Sequence, residues 1–493
     1  MRPPRRPLIA AVVLALLGVL ALAPAGATAA EPHAWLTTGD QAHLLEPQPA
    51  SALGPADPAA PTITVDPAQR FQLMEGFGAS ITDSSAKVLA VSPDRAKIMR
   101  DLFDPNAGLG LSYLRQPMGA SDFVSGPHYT YDDPPAGRTD FAMKRFSIAH
   151  DRAQILPLLR EARRLNPALK VMGTPWSPPA WMKTNGSLVG GRFIDDPRVY
   201  AAYAKYFVRF VDEYRKAGVP IDTLTLQNEP QNRNPSAYPG MDLRNEEEAR
   251  LVEAVGPALQ RAGLGQTKLL GFDHNWTLHP NDGGPPGDPA NPNYARDLLA
   301  DPGASRWLAG TAFHCYSGDP SAQGALHDMF PSKDIYFSEC SGSQSADPAT
   351  TFPDTLHWHT ANLTVGAVRN WAKTVITWNL GLDPSGGPHN GGCGTCFGVV
   401  TIDPATGRAT PTADYYVLGH VTKFVRPGAV RIGSSTGAGT IQDVALRNPD
   451  GSIVLLAVND DWDGGPAQAF NVTLGGRTFS YSLPPGAVAT FTL

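Results

Sequence analysis

Thr223-Leu224-Thr225-Leu226-Gln227-Asn228-Glu229-Pro230 places a carboxylate directly after an apolar run of strand length. A glutamate in that position is poorly suited to a surface role. Upstream, Pro197–Ala217 reads as a helix: Tyr203, Tyr206, Phe207, Phe210 and Val211 fall on one stripe, and Gly218 stops it. The same alternation of strand and helix runs outward in both directions. Strands are expected near Met74–Ala79, Leu111–Arg115, Lys170–Thr174, Thr223–Gln227, Leu269–Phe272, Gly310–His314, Ile335–Ser338 and Thr374–Trp378. A helix with an Asp83/Ser84 cap is expected over Ser84–Phe103. Eight alternations over roughly 340 residues suggest a closed (β/α)8 TIM barrel, an α/β fold. A doubly wound open sheet is the alternative, weakened because no GxGxxG turn follows an early strand.

After about residue 424 the period changes from helix to strand. Ile441–Arg447, Ile453–Val458, Ala469–Leu474, Thr478–Ser482 and Ala487–Leu493 are short strands, with Asn448-Pro449-Asp450-Gly451 and Leu474-Gly475-Gly476 as turns. They predict an attached all-β sandwich, which the extended segments Ala34–Thr38 and Thr62–Val65 are placed to complete. The domain reading is therefore a leader over 1–29, N-terminal strands over 30–70, a catalytic barrel over 71–423 and a sandwich over 424–493.

The leader has a basic start at Arg2, Arg5 and Arg6, an apolar run from Leu8 to Leu22, and small residues at Ala27-Thr28-Ala29. That pattern is a secretory signal peptide, so the mature chain is expected to begin near Ala30 and to be extracellular. The apolar run is short for a membrane span of roughly 20 residues; an uncleaved anchor is the alternative, and no stable membrane anchor is expected. A net charge of −6 with scattered acids and bases argues against a nucleic-acid partner. Export permits disulfides. Cys393-Gly394-Thr395-Cys396 reads as a short structural bridge, since no second ligand pair suggests zinc. Cys315 and Cys340 follow His314 and Glu339 at the ends of the sixth and seventh strands; a bridge between them and a pair of buried free thiols both remain open.

In such a barrel the active site lies where the strands end. The fourth strand delivers Glu229, and the seventh, Phe337-Ser338-Glu339-Cys340, delivers a second glutamate. Two carboxylates on one rim are the minimum equipment for glycoside hydrolysis, provided their environments separate their pKa values. The structural alternative for either one is an ion pair with an arginine such as Arg115. Trp176, Trp181, Tyr316 and Trp378 also follow strands, as flat surfaces for sugar C–H faces. Asp83, Asn228 and His314 are candidates for holding hydroxyls.

The motifs then become specific. Glu75-Gly76-Phe77-Gly78-Ala79-Ser80-Ile81-Thr82-Asp83-Ser84, the run Arg115–Phe123, the run Pro175–Asn185, Asn228-Glu229-Pro230, His314-Cys315-Tyr316, Ser338-Glu339-Cys340 and Trp378-Asn379 with Gly386-Gly387-Pro388 match in order. Together they resemble glycoside hydrolase family 30, the glucosylceramidase family, from about residue 62 to the end. The resemblance implies a retaining mechanism with Glu229 as acid/base and Glu339 as nucleophile. It implies that Asp83, Trp176, Asn228, Tyr316 and Trp378 line the sugar pocket, and that Arg115 and His314 support the carboxylates. No metal or organic cofactor is required.

The resemblance implies a β-glucosidase of the glucosylceramidase type, with an endo-β-1,6-glucanase as the alternative reading and a catalytically dead carbohydrate-binding protein as a third. The substrate partner is a small-molecule or polysaccharide β-glucoside; oligomeric state is not legible. Two loops depart from the lysosomal lipid-hydrolysing members, Gln231-Asn232-Arg233-Asn234 and Gly391–Cys396. They lie where the leaving group would sit, and their small polar residues suit a soluble saccharide at least as well as a lipid.

Overall fold

The computed structural model describes residues 31–233, 237–283, 288–435, 437–462 and 464–493. The expected leader lies outside the described residues, as do the last residues of the Gln231–Ser236 loop. Among the described residues, no helix is long and apolar enough to cross a membrane.

Eight parallel strands close into a barrel, in chain order: Gly76–Ser80, Tyr113–Pro117, Lys170–Thr174, Thr223–Thr225, Lys268–Asn275, Leu308–His314, Asp334–Glu339 and Ala372–Thr377. All eight expected strands are present, shifted by a few residues at most. Tyr113, Met172, Leu270, Ala312, Tyr336 and Ile376 fill the barrel interior, so the barrel is a packed core that presents chemistry only at its rim. Close strand approach explains Gly78, where a Cβ would lie 1.8 Å from the carbonyl oxygen of Tyr113.

The outer layer follows its local signals. The helix Pro197–Lys216 has Pro at its first turn and Asp196 as N-cap, accepting from the Arg198 N–H, and buries the Tyr203, Tyr206, Phe207, Phe210 and Val211 stripe. The stretch expected as one helix over Ser84–Phe103 is two, Asp83–Val91 and Arg95–Phe103. Pro93 breaks it, having no N–H to donate. The cap of the first piece is Thr82, not Asp83: its hydroxyl accepts from the Ser85 N–H.

Three short strands, Gly381–Leu382, Val400–Ile402 and Ala409–Pro411, form a small separate sheet, and nine others form one sheet wrapped around its own core of residues such as Ile63, Leu455, Phe470 and Phe491. The N-terminal strands join it. His33–Thr37 pairs with Val488–Thr492, and Thr62–Leu73 pairs with Gln468–Leu474 and with Val430–Ser434. Thr62–Leu73 leads straight into the first barrel strand, so one continuous segment ties the two parts together.

Candidate active site

Glu229 and Glu339 meet over the open end of the barrel. The fourth strand stops at Thr225, and the chain then turns through Glu229 with φ +47°, a left-handed conformation unusual for a residue with a side chain. The Glu229 N–H is held by the carbonyl of Asp273, 3.0 Å away. A conformation of this kind costs on the order of 1–3 kcal/mol and persists where the surroundings over-determine it. Glu339 ends the seventh strand and is 5% exposed. One carboxylate oxygen of each glutamate and a ring nitrogen of His314 lie within 4.8 Å of one another.

A buried charge network sets these side chains. Arg115, 0% exposed, donates to Glu339 Oε2, to Asn228 Oδ1 at 2.7 Å and to Asp273 Oδ2 at 2.8 Å. Its guanidinium also stacks over Trp176, 4.7 Å from the ring centre. His314 lies 3.1 Å from Glu229 Oε1 through Nδ1 and 3.1 Å from Asp273 Oδ1 through Nε2. Tyr316 donates its hydroxyl to Glu339 Oε1 at 3.0 Å, and Asn232 donates to Glu229 Oε2 at 2.9 Å.

Asp273 is the hub of this network, and it escaped the sequence reading. Ser338 and Thr225 donate to it at 2.6 and 2.7 Å, in addition to Arg115. The signal was available: Asp273 is also a carboxylate at the end of an apolar strand. The fifth strand was expected to end at Phe272, but it continues to Asn275 through a bulge at Phe272 and Asp273, with φ +74° and +51°. That bulge turns Asp273 inward.

The electrostatics separate the two glutamates, in an order that the expected roles do not require. Burial penalises the Glu229 charge, but the hydrogen bond and positive charge of His314 outweigh it and hold the carboxyl at about 2. Burial disfavours the His314 cation as well, yet Glu339, Asp273 and Glu229 raise it to about 9. Glu339 is raised by burial, against the opposing pull of His314 and Arg115. The surrounding carboxylates thus favour the protonated form of His314, one hydrogen bond away from Glu229. Closely coupled groups of this kind titrate as a set, and the proton belongs to the set.

These groups border a cavity of about 380 Å³, within the size range of small-ligand sites. Trp176, Asn228, Tyr316 and Trp378 line it, as the sequence led us to expect, and the two indoles stack with centres 5.0 Å apart. Arg115 and His314 lie beneath, against the carboxylates. Asp83, expected in the pocket, stands apart from them. It pairs with His150 at 2.5 Å and accepts from Ser125, and it is not among the cavity-lining residues. The carboxyl on that wall is Asp122, raised to about 8 by burial and the nearby Glu339 charge. Gly392 makes room for it: a Cβ there would come within 2.3 Å of Asp122 Oδ2. Trp181 also lies elsewhere, packed edge-on to Phe141 and donating to Asp132. A further polar wall, with His274, Asn275, His279, Asn281 and Asp282, comes from the fifth strand and the turn after it.

Glu229, His314 and Glu339 could be considered as a metal triad by spacing. The donor set fits that poorly. Both Glu339 oxygens already accept from Arg115 and Tyr316, and both ring nitrogens of His314 are engaged by Glu229 and Asp273.

Both disulfides are formed. Cys393 is bonded to Cys396, and Cys315 to Cys340, which resolves the pairing left open by sequence. The second bridge ties the residue after His314 to the residue after Glu339.

Residues 74–425 match the glycosyl hydrolase family 30 TIM-barrel domain, and residues 428–491 match the glycosyl hydrolase family 30 beta sandwich domain. The chain belongs to glycosyl hydrolase family 30. It is similar to an endo-1,6-beta-D-glucanase of Neurospora crassa, 33% identical over 455 residues that cover 88% of this chain and 89% of that protein. The lysosomal acid glucosylceramidase of Mus musculus is 30% identical over 446 residues, covering 86% and 81%. Among solved structures, the endo-beta1,6-glucanase BT3312 superposes with a TM-score of 0.82 at 30% identity, covering 94% of this chain and 99% of that one. As a family 30 member the protein is a glycoside hydrolase, and its two domain matches meet between residues 425 and 428, where helix gives way to sheet.

Proposed function

We propose that this family 30 hydrolase is a retaining endo-β-1,6-glucanase. The observation that carries this reading is the set of polar residues that line the cavity together with Glu229: His274, Asn275, His279, Asn281 and Asp282 from the fifth strand and the turn after it, and Ser343 from the loop after the seventh. A ceramide aglycone would bury hydrocarbon against these groups, at the cost of their hydration; a second sugar would meet them with hydroxyls. The similarity to two β-1,6-glucanases supports the same reading. It replaces the glucosylceramidase-type reading preferred from sequence.

In the proposed reaction Glu339 attacks the anomeric carbon and Glu229 protonates the departing oxygen, drawing on the proton shared with His314. Water deprotonated by Glu229 then releases the sugar. Support for retention comes from the close approach of the carboxylates, whose ligand-type oxygens fall within 4.8 Å; inverting pairs stand about 6.5–9.5 Å apart. Arg115 and Tyr316 hold Glu339 for attack. Trp176 and Trp378 provide the surface for the glucosyl ring, with Asp122 and Asn228 as hydroxyl partners.

A substrate panel tests this. Linear β-1,6-glucan should be cut into a ladder of oligosaccharides, with kcat/KM exceeding that for detergent-dispersed glucosylceramide by about tenfold or more, or ~1.4 kcal/mol in transition-state binding. A tenfold preference for glucosylceramide overturns the substrate reading, and α-anomer released first from a β-linked substrate overturns retention. Glu339→Gln should abolish turnover. Glu229→Gln should retain the first step for aryl glucosides, whose leaving groups need little protonation; equal loss on aryl and alkyl glucosides reverses the assignment. Secretion is also proposed, on the Arg2–Ala29 pattern. N-terminal sequencing of the exported protein should begin near Ala30, and retention of the leader counts against it.

A further inference from the structure

The polar wall contains buried atoms that no described residue satisfies with an aligned hydrogen bond. His274 is 2% exposed and Asp282 is 1% exposed, and both line the cavity. Among the described residues, neither ring nitrogen of His274 has a hydrogen-bond partner, and neither does Asp282 Oδ1. His274 Nε2 and Asp282 Oδ1 approach to 3.1 Å but are not aligned to bond. The other Asp282 oxygen is committed, accepting from the His279 N–H at 2.7 Å and so holding the turn. An unmet buried polar atom costs about 1–3 kcal/mol, and such atoms are few in native proteins. Here they fall together, beside the Asn232 that braces Glu229.

We propose that His274 and Asp282 form the leaving-group subsite, binding hydroxyls of the glucose unit on the reducing side of the cleaved bond. Asp282 Oδ1 accepts from one hydroxyl, and a ring nitrogen of His274 pairs with another. The pair selects a sugar aglycone over an apolar one, because an apolar group would leave both side chains buried and unpaired. The assignment rests on the proposed function only in taking a saccharide as the leaving group. It does not depend on which linkage is cut.

The experiment compares kcat/KM for a β-linked gluco-oligosaccharide with kcat/KM for an aryl β-glucoside lacking aglycone hydroxyls, in wild type, Asp282→Ala and His274→Phe. The oligosaccharide used is the linkage that wild type cleaves best among β-1,3, β-1,4 and β-1,6. The ratio should fall about tenfold or more in each variant, chiefly through KM for the oligosaccharide. A merely structural role moves both substrates together and leaves the ratio within about twofold of wild type, which overturns the proposal. His274→Phe keeps the Asp282 turn intact should Asp282→Ala fail to fold. A wild type that prefers β-1,3 or β-1,4 chains with the ratio still falling refutes the β-1,6 reading and leaves the subsite standing. A wild type that cleaves β-1,6 chains with unchanged ratios in the variants does the reverse.

Discussion

Asp273 connects the residues that do chemistry without facing the cavity itself. Its carboxylate takes hydrogen bonds or charge from Arg115, His314, Ser338 and Thr225, and its carbonyl holds the Glu229 backbone. Asp273→Ala leaves the fully buried Arg115 with one carboxylate fewer, and breaking a buried pair from one side costs about 3–5 kcal/mol. We expect urea unfolding to show a loss of that order and activity to fall even where the variant folds; a loss below about 1 kcal/mol would remove Asp273 from its central place. His314 makes a pH-dependent prediction. Its value is raised from 6.5 to about 9, so its contribution to stability is complete below pH 6.5 and disappears as pH rises through about 9. Glu229 is lowered from 4.5 to about 2, so its contribution is complete above pH 4.5 and is lost as pH falls through about 2. Glu339, raised by burial, acts in the opposite sense above 4.5. The melting-temperature deficit of His314→Gln should therefore be largest between pH 4.5 and 6.5 and shrink toward alkaline pH. A deficit that is constant from neutral to alkaline pH contradicts this charge assignment.

At the scale of elements, strand ends matter more than strands. The strand runs were legible because buried parallel strands read as continuous apolar stretches, and the two glutamates were legible because a carboxylate after such a stretch is conspicuous. Asp273 was missed because the bulge that carries it inward changes which face a residue presents, and periodicity is blind to that. The displaced pocket residue has a similar cause. Asp83 sits on a short helix that turns it toward His150, while Asp122 arrives on an irregular loop with no period to read. The Cys315–Cys340 bridge joins the tips of the sixth and seventh strands and closes a loop of 25 residues. Its loss in the double variant Cys315→Ser/Cys340→Ser should cost about 3 kcal/mol by loop-closure entropy. Denaturant midpoints measure the cost, and thiol titration of the denatured, unreduced wild type should find no free thiol. Two free thiols per chain would mean that this bridge does not form.

For the whole molecule, the sandwich is a structural part of the barrel's own core. Val444, Leu446, Val454, Leu456 and Val458 belong to the same apolar cluster as the barrel helices, while the other sheet face closes on Leu455, Phe470 and Phe491. Polar groups cross the same seam. His420 bridges Thr37 at 2.8 Å and Thr490 at 2.9 Å, kept neutral by burial, and Arg369 pairs with Asp443 at 3.0 Å. Arg431 stacks 3.6 Å over Phe71 on the connecting strand. We therefore expect a single calorimetric unfolding transition for the full chain, and an insoluble or unfolded product when the chain is cut after Val425. Two well-separated transitions, or a soluble active barrel without residues 426–493, would show that the parts fold independently.

The sequence by itself determined the alternation of strand and helix, the change of period after the barrel, and the two glutamates at strand ends, because each is encoded in local order. Only the tertiary structure decided that Asp122 rather than Asp83 lines the cavity, that both cysteine pairs are bonded, and that Asp273 and the two glutamates surround His314 and favour its protonated form. Those outcomes depend on through-space distance, burial and the mutual field of groups up to 224 positions apart in the chain, which no local pattern of residues records.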